Sequence, residues 1–398
     1  MILVNLSEKF SNISPSPTLA IDSKFKQMKA EGMDVVGFGA GEPDFDTPAH
    51  IKQAAIDAIN NNFTRYTPAS GTLDLKKAVC RKFKRDNGLD YEPSQIVISN
   101  GAKHSLINVF GAILNPGDEV IIPAPFWVSY PEMVKYNDGV PVIINATEEA
   151  NFKFTAEQFE NAITDKTKAI VLNSPSNPTG MMYTEAELRA IADVALRHNI
   201  YIVSDEIYEK LVYTDTKHIS IASFSEEIKD LTIIVNGVSK TYAMTGWRIG
   251  FTASNAKIAK LMSNVQSHAT SNPNSIAQVA AIAALDGPTD DLEVMRKAFD
   301  ERRKYMVERI NTIDGVSCIM PEGAFYVMMN ISKLFGRTIA GKVINSADDF
   351  AEVFLDKCLV AVVPGTGFHA PEFVRWSYAT SKENIKEGLD RLEKLLNM

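Results

Sequence analysis

The residues with the clearest chemical potential lie in one stretch, residues 236–252, with the sequence NGVSKTYAMTGWRIGFT. It follows the apolar run 233–235 and carries Lys240 and, eight residues later, Arg248. A lysine after a strand in apolar surroundings can lose its proton near neutral pH and act as an amine nucleophile, and a fixed guanidinium suits a phosphate. An aldehyde cofactor that bears a phosphate would need both groups. Taken alone, the stretch fits a surface lysine and an arginine on a strand equally well.

Polar residues also follow the other apolar segments that are expected to be strands. They are Asn100, Gly101 and Lys103 after residues 96–98, Asn177 after residues 169–172, and Asp205 and Tyr208 after residues 201–203. Each has a simpler explanation, because Asn177 can be a turn residue, Asp205 a helix cap and Tyr208 part of the core. In open parallel sheets, however, ligands bind beyond the carboxyl ends of the strands. The joint occurrence therefore predicts one site at that edge.

The elements that must position these residues alternate along the chain. Helical periodicity covers residues 49–61, 72–87, 102–114, 184–198, 255–266 and 275–285. Short apolar runs without alternation cover residues 96–98, 120–122, 140–144, 169–172, 201–203, 233–235 and 249–252. Strands of this kind between helices are typical of an α/β fold with a mostly parallel central sheet, covered by helices on both faces.

A break at Gly287-Pro288 predicts a domain boundary. Beyond it, the pattern indicates a long helix (289–312), a strand (325–329), a helix near 348–357, strands at 360–363 and 373–378, and a closing helix (382–396). Residues 1–47 are expected to be irregular because prolines interrupt them. We therefore predict a large domain over residues 49–287, a smaller α+β domain over residues 288–398, and an N-terminal arm over residues 1–48 that forms part of the smaller domain.

Composition narrows the class of protein. The 398 residues carry a net charge of −8, which argues against a nucleic-acid surface, and the longest apolar run is too short to span a membrane. The first ten residues lack the pattern of a signal peptide. Three cysteines lie far apart without a CxxC pair, and the six histidines show no metal-binding spacing. These observations predict a cytoplasmic protein without a metal, a membrane partner or a nucleic-acid partner.

Six motifs together resemble those of the class I pyridoxal-phosphate aminotransferases, in the order of that family. They are GAGEPDFDTP (39–48), PFWVSYP (125–131), SPSNPTG (174–180), SDEIY (204–208), GVSKTYAMTGWRIG (237–250) and VRWSYATS (374–381). The resemblance runs over nearly the whole chain and is strongest to the bacterial branch of aspartate aminotransferases. It implies a fold-type I aminotransferase, with pyridoxal 5'-phosphate as cofactor and a role in amino-acid metabolism.

The resemblance also implies a role for each candidate residue. Lys240 would form a Schiff base with the cofactor aldehyde and, once released, move the substrate proton. Asp205 would keep the pyridine nitrogen protonated, Asn177 and Tyr208 would bond the phenolic oxygen, and Trp127 would stack on the ring. The phosphate would be held by Gly101, Ala102, Ser239 and Arg248, by Lys103 as a neighbour, and by Tyr66 from a partner chain. Shared sites of this kind imply a homodimer.

The substrate residues follow from the same resemblance. Arg375 would clamp the α-carboxylate, with Gly39, Asn177 and Trp127 nearby, because its planar fork suits a carboxylate. Lys103 resembles the lysine that recognises a distal carboxylate, and the alternative is an ordinary phosphate neighbour or a surface lysine. Ser16 and Thr18 match small hydroxyl residues near the substrate. Two departures are Ser14, which puts prephenate activity in doubt, and Gly237, where some relatives have a phosphate-binding serine.

The predicted reaction is reversible transfer of the amino group from L-aspartate to 2-oxoglutarate, which gives oxaloacetate and L-glutamate. An aromatic, alanine or broad-specificity aminotransferase of the same class remains an alternative. So does a carbon–sulfur lyase, which would use the same cofactor residues. A cofactor-binding regulator without turnover fits less well, because the set from Lys240 to Arg375 is complete.

Overall fold

Helices and strands alternate through a computed structural model that describes residues 6–15 and 17–397. The helices are α1 (Glu8–Ser11), α2 (Pro17–Ala30), α3 (Ala49–Asn60), α4 (Leu73–Asn87), α5 (Ala102–Ile113), α6 (Ser129–Tyr136), α7 (Ala156–Asn161), α8 (Glu185–His198), α9 (Glu226–Leu231), α10 (Ala256–Ala269), α11 (Ser275–Asp286), α12 (Asp290–Ile310), α13 (Ala347–Cys358) and α14 (Lys382–Leu396). None of these helices is long and apolar enough to cross a bilayer.

The strands form one large sheet and three small ones. They are β1 (Val36–Gly37), β2 (Ile96–Ser99), β3 (Glu119–Ala124), β4 (Val140–Asn145), β5 (Thr167–Asn173), β6 (Tyr201–Asp205), β7 (Thr232–Gly237), β8 (Gly250–Ala253), β9 (Tyr326–Asn330), β10 (Thr338–Ile339), β11 (Lys342–Val343), β12 (Val360–Ala361), β13 (Val363–Pro364) and β14 (Phe373–Ser377).

The large sheet has seven strands in the order β2-β8-β7-β6-β5-β3-β4. Strand β8 runs antiparallel to both of its neighbours, and the other pairs are parallel. Successive residues of β6 face opposite sides, as in any strand. Ile202 enters the core beneath α8, whereas Val203 enters the core beneath α5 and α10. The prediction of a mostly parallel sheet with both faces covered is therefore confirmed.

The C-terminal part is built on a three-stranded antiparallel sheet, β13-β14-β9, with α12, α13 and α14 around it. Its core includes Phe299, Phe354 and Trp376, and it also takes Val36 and Phe38 from the N-terminal segment. That packing fits the proposed domain boundaries near residues 48 and 287. The predicted strand at 360–363 divides in two, because β12 pairs with β1 while β13 pairs with β14.

The expectation of an irregular segment over residues 1–47 is wrong for α2, which runs for 14 residues. Pro17 occupies its first position, where a helix has no use for the missing N–H group. Ile21, Phe25 and Met28 then recur at helical spacing and pack against Leu355 and Ala361. Prolines at 15 and 17 therefore mark the start of a helix rather than an irregular arm.

Candidate active site

A cavity of about 440 Å³ lies beyond the carboxyl ends of β5, β6 and β7. Its wall brings together eleven of the predicted site residues: Gly39, Ala102, Lys103, Trp127, Asn177, Asp205, Tyr208, Ser239, Lys240, Arg248 and Arg375. They come from residues 39 to 375, so chain folding rather than sequence proximity assembles the site. The volume suits a small organic ligand.

Lys240 lies in the turn that follows β7, and its Nζ donates a hydrogen bond to the carbonyl oxygen of Gly41. Burial lowers the pKa of Lys240 to about 8, and the positive charges of Arg248 and Arg375 act in the same direction. Glu42 and Asp205 oppose that shift. The amine is therefore unprotonated in a substantial fraction of molecules near pH 8, which a nucleophile and proton carrier requires.

Asp205 ends β6 with its side chain only 4% exposed. The Tyr130 hydroxyl donates to Oδ2 at 2.7 Å, and the Ile207 amide donates to Oδ1 at 3.2 Å. The Asn173 side chain donates to the main-chain oxygen of Asp205 at 2.9 Å and so fixes the strand end. Burial raises the pKa of Asp205 to about 6 against these hydrogen bonds. A carboxyl group held in this way fits the protonated nitrogen of a heterocycle.

One end of the cavity has the donors that an anion requires. Ala102 and Lys103 lie in the first turn of α5, where helix N–H groups have no carbonyl partner. Arg248 donates from Nη1 to the Thr245 carbonyl at 2.9 Å, which fixes its guanidinium beside that turn. Gly101 has φ +85°, and a Cβ there would overlap the Arg248 guanidinium. The missing side chain therefore lets the cation approach the helix end.

Arg375 faces the cavity from β14 and is 2% exposed. It donates from Nη1 to Asn177 Oδ1 at 2.9 Å and from Nη2 to the Gly39 carbonyl at 3.0 Å. Its Nε is buried without a partner, and within residues 6–15 and 17–397 no carboxylate pairs with this guanidinium. A buried cation held by neutral acceptors is costly unless a ligand supplies the negative charge. This corner therefore suits a carboxylate.

Aromatic groups and Lys103 complete the wall. Lys103 Nζ lies 4.9 Å from the Trp127 ring centroid. Burial lowers the pKa of Lys103, and the nearby charge of Arg248 adds to the effect. Lys103 thus lies close both to the end of the cavity that suits an anion and to the Trp127 ring. This position is compatible with a contact to a phosphate and with a contact to a distal carboxylate. The Tyr208 hydroxyl lies 3.1 Å from that of Tyr326.

The donor set fits pyridoxal 5'-phosphate. The N-terminus of α5, Ser239 and Arg248 would hold its phosphate, Asp205 would pair with its ring nitrogen, and the amine of Lys240 would react with its aldehyde. The overlap that a side chain at Gly101 would cause, and the unpartnered Nε of Arg375, are features of this chain that the cofactor and a carboxylate substrate would explain.

Several residues lie elsewhere or were not predicted. Tyr66 is 91% exposed and does not line the cavity, Ser16 lies outside the described residues, and Thr18 lines the cavity.

Sequence reasoning gave no role to Glu42, Tyr130, Asn173 or Tyr326, all of which line the cavity. Tyr130 and Asn173 carried a signal, because one lies in the PFWVSYP motif and the other directly follows a strand. Tyr326 carried none, since it lies in an apolar run.

The chain is similar to known proteins over nearly its whole length. Residues 33–392 match the family described as aminotransferase class I and II. The chain is 53% identical over 391 residues to the aspartate aminotransferase of Bacillus sp. (strain YM-2), covering 98% of this chain and 99% of the relative. It is 51% identical over 393 residues to that of Bacillus subtilis (strain 168), covering 99% of each.

Two solved structures are similar over their full length. The aspartate aminotransferase from Rhizobium meliloti superposes with a TM-score of 0.95 at 44% identity, covering 99% of each chain. The aspartate aminotransferase from Thermus thermophilus with maleate gives a TM-score of 0.93 at 41% identity, covering 99% of this chain and 100% of the other.

Proposed function

We propose that this chain, which belongs to the class I and II aminotransferases, transfers the amino group of L-aspartate to 2-oxoglutarate and forms oxaloacetate and L-glutamate. The observation that carries the proposal is a single cavity that holds three complementary groups. These are the amine of Lys240, the buried carboxyl group of Asp205 and the guanidinium of Arg375. An amino-acid substrate needs all three, as a proton carrier, an electrostatic anchor for the cofactor and a carboxylate clamp.

Pyridoxal 5'-phosphate, the cofactor of this family, supplies when bound an aldehyde that takes up the amino group and a pyridine ring that draws electrons from the substrate α-carbon. In our assignment, Asp205 would hold a proton at the pyridine nitrogen. Asn177 and Tyr208 would donate hydrogen bonds to the ring oxygen, and Trp127 would stack on the ring. The first turn of α5, Ser239 and Arg248 would bind the phosphate.

Arg375 and Lys240 act on the substrate. Arg375 is held by its hydrogen bonds to Asn177 and Gly39, and its unpartnered Nε with the remaining N–H groups forms a fork that suits the α-carboxylate. Lys240 Nζ takes the α-proton and returns it at the other end of the transfer, for which its pKa of about 8 is well matched to physiological pH. Because Arg375 belongs to β14, outside the large sheet, substrate binding also joins the two parts of the chain around the site and helps exclude water.

The charges in the cavity wall support a dicarboxylic substrate. Lys103, Arg248 and Arg375 all line it. Arg248 is assigned to the phosphate and Arg375 to the α-carboxylate, so Lys103 can balance the charge of a second carboxylate. The relatives at 50–53% identity are named aspartate aminotransferases, which is consistent with that balance.

We assign the distal carboxylate of aspartate to Lys103, and this assignment makes a prediction. Lys103→Ala is expected to lower kcat/KM for L-aspartate about 10- to 100-fold, the loss of one interaction with a charged group. The kcat/KM for L-alanine and L-phenylalanine should change by less than about threefold. Steady-state kinetics with the three amino acids measures the difference, and Lys77→Ala, on the exposed face of α4, is the control. An equal loss for all three substrates would assign Lys103 to the phosphate instead.

We further propose a homodimer in which Tyr66 of each subunit reaches the phosphate of the other. Tyr66 is 91% exposed, and apolar side chains close to it in sequence are also exposed: Ile56 (48%), Ile59 (52%), Phe63 (40%) and Leu73 (55%). Exposed apolar side chains on the segments that flank Tyr66 are consistent with an interface between subunits there.

Sedimentation of the holoenzyme should give twice the mass of the chain. Tyr66→Phe should weaken binding of pyridoxal 5'-phosphate about tenfold, because one hydrogen bond to a charged group is lost. Tyr136→Phe, which alters another exposed tyrosine, is the control and should leave the affinity unchanged. A monomer with full cofactor affinity would rule out the shared site.

We also propose that the enzyme works in the cytoplasm, consistent with its three separated cysteines.

A further inference from the structure

Two buried glutamates lie in the turn that carries Asp205 and Tyr208, and neither lines the cavity. Glu206 is 1% exposed and Glu209 is 7% exposed. Side chains of neighbouring strand residues point to opposite faces, so Glu206 lies on the same side as Ser204 and on the side opposite Asp205. The Ser204 hydroxyl indeed donates to Glu206 Oε1 at 2.9 Å. A carboxylate is therefore held at the residue that directly follows Asp205, the group that we assign to the pyridine nitrogen.

The surroundings of Glu206 hold its carboxylate without a permanent positive charge. Oε1 also accepts a hydrogen bond from Ser220 Oγ at 2.7 Å. Oε2 lies 3.2 Å from His218 Nε2 but is not aligned for a hydrogen bond, and that histidine is charged only when protonated. The other groups that face Glu206 are Glu209 and the buried hydroxyl of Tyr91.

Glu209 differs because a cation neutralises it. Lys82 of α4 forms a buried ion pair with Oε1, and Asn236 donates to the same oxygen at 2.9 Å. Asn87 donates to Oε2 at 3.0 Å. Burial alone would raise the pKa of Glu209, but the charges of Lys82 and His218 and the hydrogen bonds from Lys82 and Asn87 outweigh burial and lower it to about 2. Glu209 thus ties the turn to α4 and to β7, whereas no lysine or arginine of the described residues pairs with Glu206, which faces His218 instead.

A metal ion is the other explanation for this group. Ligand atoms of Glu206, Glu209 and His218 lie within 4.8 Å of one another. Both carboxylates, however, already accept hydrogen bonds from two or more donors, and the ammonium of Lys82 occupies the position beside Glu209. The arrangement therefore favours a fixed negative charge over a metal site.

We propose that Glu206 is a positioning residue, whose buried carboxylate strengthens the hold of Asp205 on the proton at the pyridine nitrogen. The inference rests on the proposed function, because it requires the cofactor. A fixed negative charge close to a second carboxylate raises its affinity for a proton. The pKa of Asp205 agrees with this argument, because the charge of Glu206 raises it in addition to the effect of burial. Ser204 and Ser220 keep the carboxylate in place.

The test measures the protonation state of the pyridine nitrogen directly. Holoenzyme is prepared with pyridoxal phosphate labelled with ¹⁵N in the ring, and the ¹⁵N chemical shift is followed across the pH range in which the protein stays folded. Glu206→Gln, which keeps the shape and loses the charge, is expected to lower the pH at which the nitrogen loses its proton by about one unit. Glu206→Asp and Ser220→Ala, which keep the charge and disturb the contacts, should remain close to the unmodified protein.

A second variant offsets the negative charge of Glu206 without replacing that residue. His218→Lys places a permanent cation beside Oε2 and should lower the midpoint in the same direction, which keeps the test decisive if Glu206→Gln does not fold. An unchanged midpoint in the charge-altering variants, or equal shifts in Glu206→Asp and Glu206→Gln, would overturn the proposal in favour of a structural role. The proposal would also be overturned if the unmodified protein contained one equivalent of a divalent metal and the Glu206→Gln variant did not. Failure of the protein to bind the cofactor would instead contradict the proposed function.

Discussion

Lys240→Ala is expected to lower kcat for transamination by about 10²- to 10⁴-fold. The reason is that Lys240 Nζ is the amine assigned to move the α-proton, and it lies in the cavity together with Asp205 and Arg375. Burial lowers the pKa of Lys240 to about 8, so the native side chain can accept and release a proton near neutral pH, whereas a methyl group cannot. Turnover is measured from the oxaloacetate formed by L-aspartate and 2-oxoglutarate.

A matched control separates this loss from general damage. Lys24 lies on α2, pairs with Asp356 at 3.4 Å and does not line the cavity, so Lys24→Ala should keep its activity. Circular dichroism and thermal unfolding should show that Lys240→Ala is folded. Turnover within about tenfold of the unmodified enzyme would exclude Lys240 as the proton carrier.

Arg375→Lys is expected to lower kcat/KM about 10²-fold or more for every amino acid tested. Lysine keeps the charge but cannot form two parallel hydrogen bonds with a carboxylate, and each such bond to a charged group contributes roughly 1.5–3 kcal/mol. The buried acceptors Asn177 Oδ1 and the Gly39 carbonyl would also lose a partner. All amino acids share the α-carboxylate, so aspartate, alanine and phenylalanine should be affected alike.

Arg302→Lys provides the comparison for this variant. Arg302 pairs with Asp44 at 2.7 Å and does not line the cavity, so its replacement should leave kcat/KM within about threefold. If Arg375→Lys impaired aspartate alone, Arg375 would bind the distal carboxylate and the orientation of the substrate would have to be reversed.

Much of the fold could be predicted because its strands are buried on both sides. Segments such as 233–235 read as continuous apolar runs, and the structure places β7 around that run. Helix α2 was missed because prolines at 15 and 17 obscured its start, although proline is well tolerated at a first helical position. Sequence periodicity also could not show that residues 360–363 pair with two different sheets, because that division depends on contacts with distant strands.

The candidate site could be predicted where polar residues follow strands or lie in family motifs. Lys240, Asp205 and Arg375 were found in this way, and the fold brings them into one cavity. Tyr326 could not be found, because its position in an apolar strand is indistinguishable from that of a core residue until β9 is placed beside β14. The pair Glu206 and His218 was missed for a similar reason, since loop folding rather than local pattern brings them to 3.2 Å.

The most direct test of the central claim is the first half of the reaction, measured with the holoenzyme and one amino acid at a time. Stopped-flow absorbance of the bound cofactor gives the rate of amino-group uptake from L-aspartate, L-glutamate, L-alanine and L-phenylalanine. We predict that aspartate and glutamate react with at least about tenfold higher kcat/KM than the other two, because a second carboxylate meets a cation in the wall. A faster reaction with alanine or phenylalanine, or no uptake from aspartate, would contradict the assignment.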